Sequence, residues 1–238
     1  MRMYFVKLTG RGMKKMKDKK LIIFDLDGTL VYTLDSLQIS VNRALQRLGV
    51  TGDITTEQCR EFIGNGVQVL VEKSLLAVVA DAPMEMQKQA LKYFQEEFAV
   101  YGTYQVVPYE GIVEVLADRK AKGYLLAVLT NKPQVQAVEV VEQLFGAGTF
   151  DLIQGQVDGF PKKPEPQSIW NVIDKLGCTR ENSILIGDSE VDIQTGKNAQ
   201  IYTIGVAWGY RDRSVLVRER ADAIVEHASQ LIEEIEKA

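Results

Sequence analysis

Leu21-Ile22-Ile23-Phe24-Asp25-Leu26-Asp27-Gly28-Thr29-Leu30 decides how this chain is read. Four apolar residues end in two aspartates one residue apart, followed by a glycine and a threonine. The run has the length of a parallel strand buried on both faces. Ligands of open α/β sheets sit at the carboxyl ends of such strands. Two carboxylates there can bind a hard cation, attack an electrophile or move a proton.

Working outward, strand-like runs recur at 124–129, 150–153, 183–186 and 201–204, with a further candidate at 223–226. Helical spacings fall between them: Ile112, Val115, Leu116 and Arg119; Val135, Val138, Val141 and Phe145; Ile169, Val172, Ile173 and Leu176. This alternation predicts an α/β fold, a Rossmann-like parallel sheet with helices on both faces. Between 34 and 107 only helical spacings occur, as in Leu34, Leu37, Val41, Ala44 and Leu48, or Val67, Leu70, Val71 and Leu75. Gly49, Gly52, Gly64, Gly66 and Pro83 punctuate them. The expected organisation is a basic arm over 1–19, a core made of 20–33 and 108–238, and a small all-helical cap domain over 34–107. The cap aromatics Tyr93, Phe94, Phe98, Tyr101 and Tyr104 read as core packing rather than a binding stripe.

Apolar residues make up 46% and charged residues 25% of the 238-residue chain, the balance of a globular protein with a sizeable core. Its apolar runs are too short to span a bilayer, and no secretory h-region follows the basic N-terminal residues. Cys59 and Cys178 are far apart and read as reduced thiols, which points to a cytoplasmic protein. Residues 1–20 hold eight Lys/Arg and one Asp, whereas the remainder is acidic. An acidic body gives no general reason to expect nucleic-acid binding. The basic arm could contact nucleic acid or a membrane surface, but a mobile solvated tail is the favoured reading, so no membrane partner is expected. A monomer or homodimer is expected.

Three further segments join the first at the predicted strand ends. Gly187-Asp188-Ser189-Glu190-Val191-Asp192 closes another apolar strand, with Asp188 and Asp192 one helical turn apart. Capping explains one of those residues but not two strands that both end in acid pairs. Thr130-Asn131-Lys132-Pro133 puts a hydroxyl and an amide before a helix opening at Pro133, which suits phosphate oxygens as well as ordinary capping. Pro161-Lys162-Lys163-Pro164-Glu165-Pro166 is either a solvated turn or a stiff loop presenting lysines to a fixed anion. Parallel strand ends share one sheet edge, so all four segments can meet. Asp25, Asp27 and Asp188 at ~4 Å would repel by about 4 kcal/mol per pair at an effective dielectric of ~20. Either some of them are protonated or a cation sits among them, and for a cation an all-oxygen ligand set favours Mg²⁺. His227 is the only histidine, which disfavours zinc and a Ser-His-Asp triad; it reads as a boundary residue before the last helix. The chain has no G-K-[ST] phosphate loop.

Asp25-Leu26-Asp27-Gly28-Thr29, Thr130-Asn131, Lys163-Pro164 and Gly187-Asp188-Ser189-x-x-Asp192 resemble, in order and spacing, the four motifs of haloacid dehalogenase-like hydrolases. Phe62-Ile63-Gly64-Asn65-Gly66-Val67, Pro108-Tyr109-Glu110-Gly111 and Trp208-Gly209-Tyr210-Arg211 look like the phosphoglycolate phosphatases of the subgroup with a helical cap between motifs one and two. Tyr32 and Gly196 depart from the pattern, where many relatives carry an acid and an alanine.

The resemblance implies a Mg²⁺-dependent phosphatase acting on a small phosphorylated metabolite through an aspartyl-phosphate. Asp25 would be the nucleophile and Asp27 the acid/base. Thr130, Asn131 and Lys163 would hold the phosphoryl group. Asp25, the Asp27 backbone carbonyl and Asp188 would ligate the metal, with Asp192 nearby. The same motifs admit sugar-phosphate phosphatases or mutases, nucleotidases and pyrophosphatases. A non-catalytic phosphate-binding protein is the competing class.

Overall fold

The computed structural model describes residues 20–238, so the arm expected over 1–19 lies outside the described residues. The opening run forms β1 (Leu21–Phe24), every side chain of which is buried. Ile22 and Phe24 pack into one hydrophobic cluster and Leu21 and Ile23 into another, the alternation of a strand covered on both faces.

The chain next makes a two-residue strand, β2 (Val31–Tyr32), and enters four helices. These are α1 (Leu34–Arg47), α2 (Thr56–Phe62), α3 (Val67–Val78) and α4 (Met84–Tyr101). It returns through β3 (Val107–Pro108), which pairs antiparallel with β2 through Val31–Pro108 and Tyr32–Val107. The insertion therefore leaves and re-enters at adjacent points. Its helices bury their own cluster, in which Leu34, Leu45, Leu75, Phe94 and Phe98 join Tyr210.

The remaining elements alternate: α5 (Ile112–Ala121), β4 (Leu125–Pro133), α6 (Gln134–Phe145), β5 (Leu152–Gln156) and α7 (Gln167–Leu176). After a 3₁₀ turn come β6 (Ser183–Gly187), α8 (Glu190–Ala199), β7 (Tyr202–Val206), α9 (Arg213–Arg218), β8 (Ala223–Val225) and α10 (Ala228–Lys237). The six-stranded sheet has the order β5-β4-β1-β6-β7-β8, and every pair is parallel, as the alternation predicts. Helices α5, α6 and α10 cover one face and α7 and α8 the other. The chain winds from β1 out to β5, recrosses to β6, and winds out again to β8. The carboxyl ends of β4, β1 and β6 thus flank a topological switch point, the crevice where ligands bind in such sheets.

Several local expectations shift. β4 runs past the expected end at Leu129 to Pro133, with a break in register. β5 starts two residues later than the 150–153 run, because the Phe150 ring packs edge-on against Phe24 and Phe145 instead. In α6 the buried stripe is Ala137, Val140 and Val141, and Val135 is 73% exposed, so the expected Val135–Phe145 face is rotated. That helix is rich in valine, and two stripes satisfy the same spacing. Helix α2 has one buried residue, Cys59, and no periodicity to read; its signal is the Thr55–Gln58 capping box. Tyr104 is 45% exposed, whereas Phe94 and Phe98 stack in the insertion core. His227 caps α10, its ring accepting a backbone N–H. No disulfide joins Cys59 to Cys178.

Candidate active site

Asp25 follows β1 directly, and its N–H donates to the Ile186 carbonyl at 2.9 Å. Asp188 holds the equivalent place after β6. The Asp188 side chain packs directly against glycine backbone. At Gly28 (φ +88°) a Cβ would stand 2.5 Å from Asp188 Oδ2, and at Gly209 it would stand 2.2 Å from Asp188 Cβ. Asp188 accepts the Tyr210 N–H at 2.7 Å and the Thr29 hydroxyl at 3.3 Å. Asp192 does form the expected N-terminal capping box of α8: its Oδ2 accepts the Ser189 N–H at 3.1 Å and the Ser189 hydroxyl at 2.6 Å. Its other oxygen faces the site.

Lys163 reaches in from the proline-rich loop and bridges Asp25 and Asp192, at 2.6 Å from each. The Asn131 side chain fixes that loop. Its Oδ1 accepts the Lys163 N–H at 3.0 Å, and its Nδ2 donates to the Lys163 carbonyl and the Gly64 carbonyl, both at 3.1 Å. Asn131 thus ties β4 to the lysine loop and to the helical insertion. Thr130 is buried beside it, its Oγ1 accepting the Lys132 N–H at 3.2 Å.

Asp27 faces a different lysine. Lys132 Nζ lies 3.0 and 3.3 Å from its two carboxylate oxygens and 4.9 Å from the centre of the Phe98 ring of α4. Sequence reasoning quoted Lys132 within its motif but gave it no role; its place one residue beyond Thr130-Asn131 was the available signal. Tyr210 and Arg211 were also missed as site residues. The Tyr210 hydroxyl accepts the Thr33 N–H at 2.7 Å, at the start of α1. Arg211 pairs with Glu190 at 2.9 Å and donates to the carbonyls of Arg60 (2.7 Å) and Ile63 (2.6 Å). Lys162 donates to the Asn65 carbonyl at 3.0 Å. Segment 63–65 of the insertion is therefore held by three side chains of the sheet domain.

Asp25, Asp188 and Asp192 can bring carboxylate oxygens within 4.8 Å of one another. At an effective dielectric of ~20 each such pair costs about 3.5 kcal/mol. Burial, then the charge of Asp192, pushes Asp25 up to about 7 despite Lys163. Burial, then Asp192 and Asp25, raises Asp188 well above the carboxylate range. Burial works against the Lys163 ammonium, but Asp192 and Asp25 outweigh it and hold it above the ordinary lysine range. Apart from the Lys132–Asp27 pair, three carboxyl groups meet one ammonium in this corner. One oxygen-seeking divalent cation would balance that charge, so the donor set fits such a cation. Asp25 and Asp188 are placed to hold it. Asp192 completes the trio while its oxygens also accept from Lys163 and Ser189, and the Asp27 carboxylate points at Lys132 rather than at the trio.

Asp25, Asp27, Asp188, Lys132, Lys163 and Arg211 line one pocket of about 50 Å³ between the sheet edge and the insertion, with Leu37, Ile63, Leu70 and Phe98 on its other side. That holds roughly four water molecules. It joins polar groups on the sheet side to an apolar wall on the helical side.

The model of the haloacid dehalogenase-like hydrolase family matches residues 22–206 of the chain. The phosphoglycolate phosphatase of Vibrio cholerae is 32% identical over 223 residues, covering 92% of this chain and 97% of its own. That of Aquifex aeolicus is 32% identical over 191 residues, covering 80% and 86%. Among solved structures, a candidate phosphoglycolate phosphatase from Lactobacillus delbrueckii subsp. bulgaricus superposes with a TM-score of 0.85 at 32% identity, covering 91% of this chain and 98% of its own. No described helix is long and apolar enough to cross a membrane.

Proposed function

This chain belongs to the haloacid dehalogenase-like hydrolase family and is a phosphoric monoester hydrolase, and we propose that its substrate is phosphoglycolate or an ester of similar size. The names of its relatives support that choice, and the pocket's polar sheet side facing an apolar wall suits a small phosphorylated metabolite. We read the insertion over 34–107 as a cap on the core formed by 20–33 and 108–238.

The observation that carries the mechanism is that Asp25 and Asp27, two residues apart, face different buried lysines. Environments that differ in this way divide two carboxylates between two roles. Asp25, in the acidic corner beside Lys163 where a divalent cation would sit, attacks phosphorus to form an aspartyl-phosphate. Asp27 gives a proton to the ester oxygen as the P–O bond breaks, then takes one from the water that attacks the aspartyl-phosphate. That second displacement releases inorganic phosphate and restores Asp25. Lys163 and Thr130 hold the phosphoryl oxygens, and Asn131 sets their spacing through its bonds to the lysine loop. Mg²⁺ held by Asp25 and Asp188, with the Asp27 carbonyl, would supply charge neutralisation for the transferred group. The apolar cap wall excludes bulk water.

Steady-state hydrolysis of phosphoglycolate with Mg²⁺ and with EDTA tests this reading. We expect turnover that needs the metal and that falls by about 10³-fold or more in Asp25→Asn. Turnover that survives EDTA, or survives the substitution, removes the mechanism.

A further inference from the structure

Two buried lysines line the pocket, and the mechanism above uses one. Lys163 is held on both sides by carboxylates. Lys132 is not: its ammonium meets the two oxygens of a single carboxylate, Asp27, and otherwise faces the Phe98 ring. Its side chain is only 2% exposed. An ammonium has three donors, and one carboxylate edge occupies two at most. A buried ammonium is costly to keep charged, and a methionine would fill the same place without that cost. The third donor therefore has a use if a second anion enters the pocket.

The position of Asp27 says where on the substrate that anion lies. If Asp27 protonates the ester oxygen, that oxygen stands one hydrogen bond from Asp27, and Lys132 stands one hydrogen bond from Asp27. Two such bonds in series span at most about 6 Å. A charged group one or two carbons beyond the ester oxygen closes that distance to contact. Arg211, the other cation of the pocket, is already bonded to Glu190 and to the carbonyls of Arg60 and Ile63.

The geometry points to Lys132 as a specificity residue: it binds an anionic group on the alcohol half of the ester, one or two carbons from the ester oxygen. The preferred substrates are then phosphate esters of short hydroxy acids rather than of neutral alcohols. This inference rests on the phosphatase reading above.

The test compares kcat/KM for 2-phosphoglycolate and for 2-hydroxyethyl phosphate, which replaces the carboxylate by a hydroxymethyl group. The protein as it stands should favour the carboxylate ester by about 10- to 100-fold, the worth of a charge-assisted hydrogen bond. Lys132→Met should reduce that ratio to within about 3-fold, chiefly by raising KM for the carboxylate ester, and Lys132→Arg should retain part of it. A ratio near one in the unaltered protein overturns the proposal, and this arm needs no variant to fold. So does a ratio that survives Lys132→Met, an equal fall for both esters, or a ratio that collapses in Arg211→Met instead. Failure of the unaltered protein to hydrolyse either ester with Mg²⁺ removes the substrate proposed above, and the role of Lys132 with it.

Discussion

Asp25 is the side chain on which charge and chemistry meet. It is buried among more negative than positive charge, and its carboxyl is pushed up to about 7. Asp25→Asn removes one of the repelling charges and keeps the shape. We therefore expect this variant to lose turnover while its Tm in EDTA holds or rises; a fall of several degrees would mean that the Lys163 bond outweighs the repulsion. The site acids were legible in the sequence because each follows an apolar run. Lys163 was legible as a lysine in a stiff loop, though not as the bridge between Asp25 and Asp192. Lys132 was not legible as the partner of Asp27, since that pairing comes from the turn at Gly28 and the extension of β4. Asn131 was legible as a pocket residue; that its side chain also ties the lysine loop to Gly64 is something spacing along one strand does not reveal.

Helix α8 and strand β7 meet at a departure from the family pattern. A Cβ on Gly196 would stand 2.2 Å from Cγ2 of Thr203, so the alanine frequent in relatives has no room here. Gly196→Ala should cost about 1–3 kcal/mol by overpacking. Thr203→Ser deletes only the offending methyl and keeps the hydroxyl that bonds Asp222 at 2.7 Å. The double variant should recover the loss and add up to about 1 kcal/mol of helix propensity, measured by urea unfolding. If the double variant is no better than Gly196→Ala, the clash with Thr203 is not the reason for glycine. At this scale the sheet strands and long helices were legible, because their buried faces are long and regular. Helices α2 and α9 were not, since seven and six residues carry too few buried positions to show a period.

At the scale of the whole molecule, protonation and metal binding compete for one corner. Asp25 titrates near 7 in the folded chain against 3.8 as its ordinary value, so the folded state binds the extra proton between those values. Its contribution to stability is therefore lost as pH rises through that window. A cation binds the deprotonated carboxylates, so it restores most where most has been lost. The Tm increment from Mg²⁺ over EDTA should be larger at about pH 8 than at about pH 5.5 by thermal unfolding. An equal or smaller increment at the higher pH would contradict the assignment of that corner to the metal. The parallel order of the sheet followed from alternation in the sequence. The contact between sheet and insertion did not, because Arg211, Asn131 and Lys162 reach backbone carbonyls, which any residue presents. The pairing of β2 with β3 has a consequence of another kind. Because the chain departs at Val31 and comes back at Pro108 across two antiparallel pairs, the two ends of the span stay adjacent whatever its length, and the reach of Asn131, Lys162 and Arg211 to backbone carbonyls asks for no particular side chain there. Natural variation or a graft can exchange the whole span for another of different length and lining, and alter which esters are admitted while the bond-breaking groups stay where they are.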